Sequence, residues 1–134
     1  MRHGVRKFKF RRGKDANQML IRKLAGNFFK NNKLVTTEAK AKAIKSLIER
    51  FVQKAKTTSE ANKNYLLKHL GDGKLVEKLF RDIGPTQKEQ KSGFLKITRL
   101  NQRGSDAAMM ARLSWVTPAI AEVKKELPKE KAKK

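Results

Sequence analysis

The sequence predicts an α+β chain: about four helices followed by short strands, with an extended basic N-terminal arm and a flexible C-terminal tail. Three observations predict it. Apolar residues recur at the i, i+3, i+4 spacing of helical stripes from Met19 to Ile83, and they alternate with a period of two from Leu95 to Trp115. At the two ends they build no core pattern, and basic side chains dominate.

Residues 1–14 contain no acid and offer only Val5, Phe8 and Phe10 as sizeable apolar groups. Fixing that backbone costs about 1–2 kcal/mol per residue, on the order of 14–28 in total, which three side chains cannot offset. The expectation is an arm that folds against a polyanion. The first helix is expected to begin at Asp15 as N-cap, to bury Met19, Leu20, Leu24 and Phe28 with Ile21 and Ala25, and to end at Asn31-Asn32. Lys33 to Thr36 reads as extended. Thr36-Thr37-Glu38 then opens the strongest helix, with Ile44, Leu47, Ile48, Phe51, Val52 and Ala55 on one face and Lys40, Lys42, Lys45, Arg50 and Lys54 on the other.

Thr57 with Glu60 matches a capping box, so a third helix is expected over 58–70, presenting Ala61, Tyr65, Leu66 and Leu70 and stopped by Gly71. Asp72 is the expected cap of a fourth, whose stripe of Leu75, Val76, Leu79, Phe80 and Ile83 is closed by Gly84-Pro85. After a polar loop from Thr86 to Ser92 come two strands. Leu95 and Ile97 alternate with Lys96 and Thr98, and Met109, Ala111, Leu113 and Trp115 with Met110, Arg112 and Ser114; a turn-rich segment, Asn101 to Asp106, joins them. Beyond Val116 the chain becomes Ala, Glu, Lys and Pro; a transient helix over 119–127 would be bracketed by Pro118 and Pro128, and a mobile tail is expected. The organisation expected is thus an arm (1–14), a single domain (15–116) and a tail (117–134).

The 134 residues carry 34 Lys+Arg against 12 Asp+Glu, a net charge of +22. A chain of this length makes one small domain that buries about two-thirds of its unfolded surface. Without cysteine there is no disulfide, zinc ribbon or thiol nucleophile, and His3 and His69 alone build no metal site. No apolar run approaches the length of a membrane span, and none follows the basic N-terminus as a signal peptide would, so an intracellular protein is expected. Ser46, Ser59, Ser92, Ser105 and Ser114 lie in no nucleophile elbow, no phosphate-cradling glycine loop occurs, and the acids are scattered singly. The expectation is no enzyme, no cofactor, no metal and no small-molecule substrate. Phe28, Phe29, Phe51, Phe80 and Trp115 fall on core stripes, and His69 is expected to make an ordinary polar contact. For Phe8 and Phe10, interleaved with Lys7, Lys9 and Arg11, the sequence leaves open stacking on an unpaired base, docking on a neighbour and simple exposure.

Residues 1–33 hold eleven basic side chains and a single acid, Asp15. Self-repulsion at this charge destabilises a compact chain unless a polyanion screens it. A membrane surface is the poorer partner, because every apolar face is committed to the core. Nucleic acid is expected, and a basic arm on a compact domain suits irregular RNA; the alternative is a nucleoid-associated DNA-binding protein.

Met1-Arg2-His3, the run Leu34-Val35-Thr36-Thr37-Glu38-Ala39-Lys40-Ala41-Lys42, Leu79-Phe80 with Gly84-Pro85, and Arg103-Gly104-Ser105-Asp106-Ala107-Ala108-Met109-Met110-Ala111 occur here in order. Together they resemble the bacterial large-subunit ribosomal protein seventeen (bL17) family, over residues 1 to about 116. The resemblance implies helices packed on a small mixed β-sheet. It also implies a structural constituent of the large (50S) subunit, cytoplasmic and in the ribosome, bound to large-subunit (23S) rRNA near the exit-tunnel side with other ribosomal proteins as neighbours. Carried over by position, it assigns RNA contact to Arg2, His3, Arg11, Arg12, Thr36, Thr37, Lys40, Lys42 and Arg103. The basic side chains Arg6, Lys7, Lys9, Lys14, Arg22, Lys96 and Arg99 complete the expected RNA-binding set. The chain departs from the family pattern at Gly4, at Ala16-Asn17, where the family has His-Arg, and at Ser92-Gly93-Phe94-Leu95-Lys96, where Lys96 replaces an Arg.

Overall fold

A computed structural model describes Phe10 and residues 13–118. The expected arm, apart from Phe10, Gly13 and Lys14, lies outside the described residues, as does the expected mobile tail from residue 119 onward.

Helix α1 (Lys14–Asn31) begins one residue before the expected cap: Gly13 is the N-cap, and Asp15 sits in the first turn, where its carboxylate still faces the positive end of the helix dipole. Asn32 ends it in the left-handed conformation, φ 59°, with its N–H donating to the Phe28 carbonyl. Met19 does not join the buried stripe and is 47% exposed, because burial on this helix starts only at Ala25, where its C-terminal half meets the core. Strand β1 (Lys33–Thr37) passes without a loop into α2 (Glu38–Ala55), which buries Ala41, Ile44, Ile48, Phe51, Val52 and Ala55.

The capping box expected at Thr57 and Glu60 does not form. Ser59 is the N-cap of α3 (Glu60–Leu70), without a side-chain cap bond, and Thr57 instead accepts a hydrogen bond on its carbonyl from Asn62 Nδ2 (2.9 Å). Ala61 is exposed, and Gly71 closes the helix at φ 70°. Asp72 caps α4 (Gly73–Lys78) as expected, its Oδ1 accepting the Lys74 N–H at 3.0 Å. Gly84-Pro85 does not stop this helix. A π-helical turn, Leu79–Ile83, carries the chain into α5 (Gly84–Thr86), where Pro85 fits because the first turn of a helix needs few N–H donors. Gly84 is needed for close approach: a Cβ there would lie 2.4 Å from the Ala55 carbonyl oxygen of α2.

Strands β2 (Leu95–Gln102) and β3 (Met109–Trp115) form a hairpin, and β3 is central in the order β1-β3-β2. Helices followed by strands make the fold α+β, as expected, but the sheet is not mixed, since both pairings are antiparallel. The reason is connectivity: β2 returns directly as β3, and β1 lies antiparallel on the other side of β3, so no neighbouring pair has the crossover that parallel strands need. Strand β2 runs past Thr98 to Gln102, with a register break between Arg99 and Gln102.

One face of the sheet packs on the helices. Ala111 and Leu113 are fully buried, Leu34 lies opposite Leu113, and Thr36, only 9% exposed, lies opposite Ala111. Trp115 meets Phe28 at 5.0 Å and Phe29 at 6.4 Å between ring centroids, and Phe29 meets Phe51 at 6.4 Å. Phe94, which the strand alternation leaves out, is 2% exposed with the Lys56 Nζ over its ring. Phe80 is only half-buried, and Met109, at the turn end of the hairpin, is 40% exposed.

Candidate nucleic-acid interface

The direct passage from β1 into α2 places a helix N-terminus at the edge of the sheet. Thr37 is at once the last strand residue and the N-cap of α2, with extended backbone (φ −66°, ψ 149°) and no side-chain cap bond. Thr37, Glu38, Ala39 and Lys42 line a shallow depression there with Ala108 and Met109. Glu38 is its electrostatic pivot. Its Oε1 receives Lys42 Nζ at 2.7 Å from one turn along the helix and Arg99 Nη2 at 3.0 Å from β2, and these contacts hold the Glu38 carboxyl below its ordinary pKa, Lys42 foremost. Two cations on one carboxylate leave the rim net positive beside the positive pole of the helix.

Thr36 and Thr37, adjacent in sequence, separate in space. Thr36 faces the helices, while Thr37 pairs in register with Met110 on the opposite face. Lys40 is half-buried along α2, and Lys14 is exposed at the start of α1. Arg22 is exposed but engaged: its Nε donates to the His69 carbonyl at 3.1 Å and its Nη2 to the Lys68 carbonyl at 2.9 Å. Arg103 closes the hairpin turn on Asp106 through Nε–Oδ1 (2.9 Å) and Nη2–Oδ2 (2.5 Å), and this fork, helped by the Ala108 N–H, pulls the Asp106 pKa down to about 2. Lys96 stands exposed on the sheet face turned away from the helices. Arg2, His3, Arg6, Lys7, Lys9, Arg11 and Arg12 lie outside the described residues.

The structure thus brings Thr37, Lys42 and Arg99 together, sets Lys96 on a second surface, and places Arg22 and Arg103 elsewhere. Lys33 and Arg112, never singled out in the sequence, share the face of Lys96. The signal was present in the alternation of β3, which sets Arg112 opposite in sense to Ala111 and Leu113. His69 stands between aromatic rings and charged side chains. Its ring lies against Tyr65 at 4.5 Å and Phe51 at 5.7 Å, and burial, reinforced by Lys68, Arg22 and Arg50, lowers its pKa. Among the described residues no group of three or more His, Asp or Glu gathers at metal-binding range, and no helix is long and apolar enough to cross a membrane.

The family model described as Ribosomal protein L17 matches residues 19–116. The chain is similar to the Large ribosomal subunit protein bL17 of Natranaerobius thermophilus, 36% identical over 108 residues, covering 81% of this chain and 96% of the relative. It is similar to the protein of the same name from Sulfurihydrogenibium sp., 35% identical over 117 residues, covering 87% of this chain and 97% of the relative. The corresponding protein of Akkermansia muciniphila is 31% identical over 129 residues, covering 96% of this chain and 95% of the relative.

Proposed function

We infer the function of this chain from the premise that it belongs to the ribosomal protein L17 family, matched over residues 19–116. It is a structural constituent of the large ribosomal subunit that binds and stabilises large-subunit (23S) rRNA on the exit-tunnel side, beside other ribosomal proteins, and performs no catalysis. Family membership carries this reading, and the net charge of +22 supplies its physics. A phosphate backbone gains affinity from each Lys or Arg that displaces a condensed counterion, so many modest contacts add up without any catalytic group. The rim of α2, with Thr37, Lys40, Lys42 and Arg99, is one proposed contact, and the basic residues of 1–14 another. Arg22 and Arg103 contribute to the local field while holding their internal partners.

Sedimentation of a cell lysate through a sucrose gradient tests this reading. The protein is expected in the large-subunit peak at moderate salt and released as salt rises; a protein found only in the slowly sedimenting fractions overturns it. A salt-matched competition in which duplex DNA displaces large-subunit RNA would point instead to a nucleoid protein.

A further inference from the structure

The sheet has two unlike faces. The inner one is closed by α1 and α2, whereas among the described residues no helix lies on the outer one: Lys33, Val35, Lys96, Thr98 and Arg112 are all exposed along the three strands. Register aligns them. Lys33 and Lys96 both lie opposite Ser114 of the central strand, one from each side, and Val35 and Thr98 both lie opposite Arg112. With strands about 4.8 Å apart and about 3.4 Å per residue along them, Lys33 and Lys96 stand roughly 10 Å apart across the sheet, and Arg112 about 7 Å along from their row. The three cations therefore form a triangle on one face, with the Ser114 hydroxyl between the two lysines and that of Thr98 beside Arg112. Strands β1, β2 and β3 contain no Asp or Glu at all.

We propose that this outer face is a second RNA-docking surface, on which Lys33, Lys96 and Arg112 bind the sugar-phosphate backbone of duplex RNA. The proposal rests on the RNA-binding reading above and adds a place that reading does not contain. A-form RNA presents a wide, shallow minor groove edged by phosphates and 2′-hydroxyls, which a flat face can approach and a projecting helix is not needed to read. Lys and Arg supply the phosphate contacts, and Ser and Thr hydroxyls donate to phosphate and sugar oxygens. Charge complementarity decides the occupant. Residues 1–12 carry only basic charges, and residues 119–134 hold six Lys against three Glu, so neither end of the chain complements an acid-free cationic face. The face also lacks an aromatic ring, so it suits backbone contact and not base stacking.

Lysine footprinting of the full chain on deproteinised large-subunit RNA tests this. The expected result is that Lys33 and Lys96 become resistant to acetylation in the complex, while Lys63 of α3 reacts as in the free protein. Since no other protein is present, a neighbouring protein cannot cause the protection. In parallel, the triple variant Lys33→Gln, Lys96→Gln, Arg112→Gln is expected to lower the slope of log affinity against log salt by about two to three. The charge-matched control, Lys63→Gln, Lys74→Gln, Lys88→Gln, is expected to lower it by less than about one. Unhindered acetylation of Lys33 and Lys96 in a chain that does bind RNA overturns the proposal and leaves the RNA-binding reading standing, as does an equal slope change in both triple variants. Protection of both lysines that persists on the isolated chain would identify a segment of the chain itself as the occupant and equally overturn it. A wild-type chain that does not bind the RNA overturns both.

Discussion

The guanidinium of Arg22, on α1, spans two successive carbonyls at the end of α3, donating to Lys68 and to His69. These carbonyls belong to the last turn of a helix, where the backbone has no further N–H to offer and the dipole is negative. The pattern repeats at Lys78, whose Nζ donates to the Phe29 carbonyl near the end of α1 at 2.8 Å, and Lys56 Nζ donates to a loop carbonyl, that of Gln90. A chain with 34 cations and 12 acids satisfies part of its charge internally on backbone oxygen, where a balanced chain would use carboxylates.

Replacing Arg22 therefore separates packing from RNA contact. Arg22→Gln is expected to destabilise the free protein by about 1 kcal/mol, the scale of a lost cation at a partly solvated helix C-terminus. Arg22→Lys, which keeps the charge but not the fork, should recover less than half of that in urea denaturation. Both variants should leave the salt dependence of RNA binding within about one contact of wild type. A stable Arg22→Gln protein with strongly weakened RNA binding would show the side chain facing phosphate in the complex instead.

Glu38 predicts an effect of opposite sign. It holds Lys42 and Arg99 at the rim of α2, and it is the sole acid among the residues lining that depression. Glu38→Gln removes the one repulsive group and releases both cations toward phosphate. RNA affinity at low salt is expected to rise several-fold, with a steeper salt dependence. The cost to folding should be small, since exposed ion pairs contribute little. Affinity that falls on this substitution would mean the tether orients Arg99 for binding.

Helical periodicity made the four helical units legible because α2 and the Leu75–Ile83 stripe carry their burial pattern in the 3.6-residue repeat, and the change to period two located both late strands. What escaped were features that depend on distant neighbours. Gly84-Pro85 has the composition of a helix stop, yet the chain continues helically through it, with Gly84 set against the Ala55 carbonyl. Thr57 and Glu60 have the spacing of a capping box, but Ser59, with extended backbone at φ −140° and ψ 146°, took the cap. Thr36 and Thr37 read alike in sequence, and only the register against Ala111 and Met110 shows that one is core and the other surface. Lys33 and Arg112 needed the strand order β1-β3-β2 before they could be seen as one face with Lys96.

Gly84 supplies the sharpest stability prediction. Its backbone is ordinary right-handed helix, so alanine would normally be favoured there. The space is not: the added methyl would meet backbone oxygen, which cannot swing aside, and would push α5 from α2. Gly84→Ala is expected to cost about 3 kcal/mol, at the upper end for overpacking, and to lower the urea midpoint accordingly. A neutral or stabilising result would mean that the two segments are further apart in solution.

Two titrations act in separate windows on the acidic side of neutrality. The Asp106 carboxyl is depressed from 3.8 to about 2 by Arg103, so its contribution is complete above 3.8 and is lost as pH falls through about 2. The hairpin turn is expected to loosen over that window, and the carboxyl carbon of Asp106, followed by NMR, should show a midpoint that rises toward 3.8 in Arg103→Gln. For His69 the folded state disfavours the proton, through burial first and then Lys68, Arg22 and Arg50. The unfolded chain then binds more protons than the native one, so stability falls as pH drops below 6.5 toward the lower native pKa. His69→Phe keeps the ring against Tyr65 and Phe51 and removes the proton site. Its melting temperature should vary less than that of wild type between about pH 7 and 5. An unchanged pH dependence in that variant would assign the titration to another group.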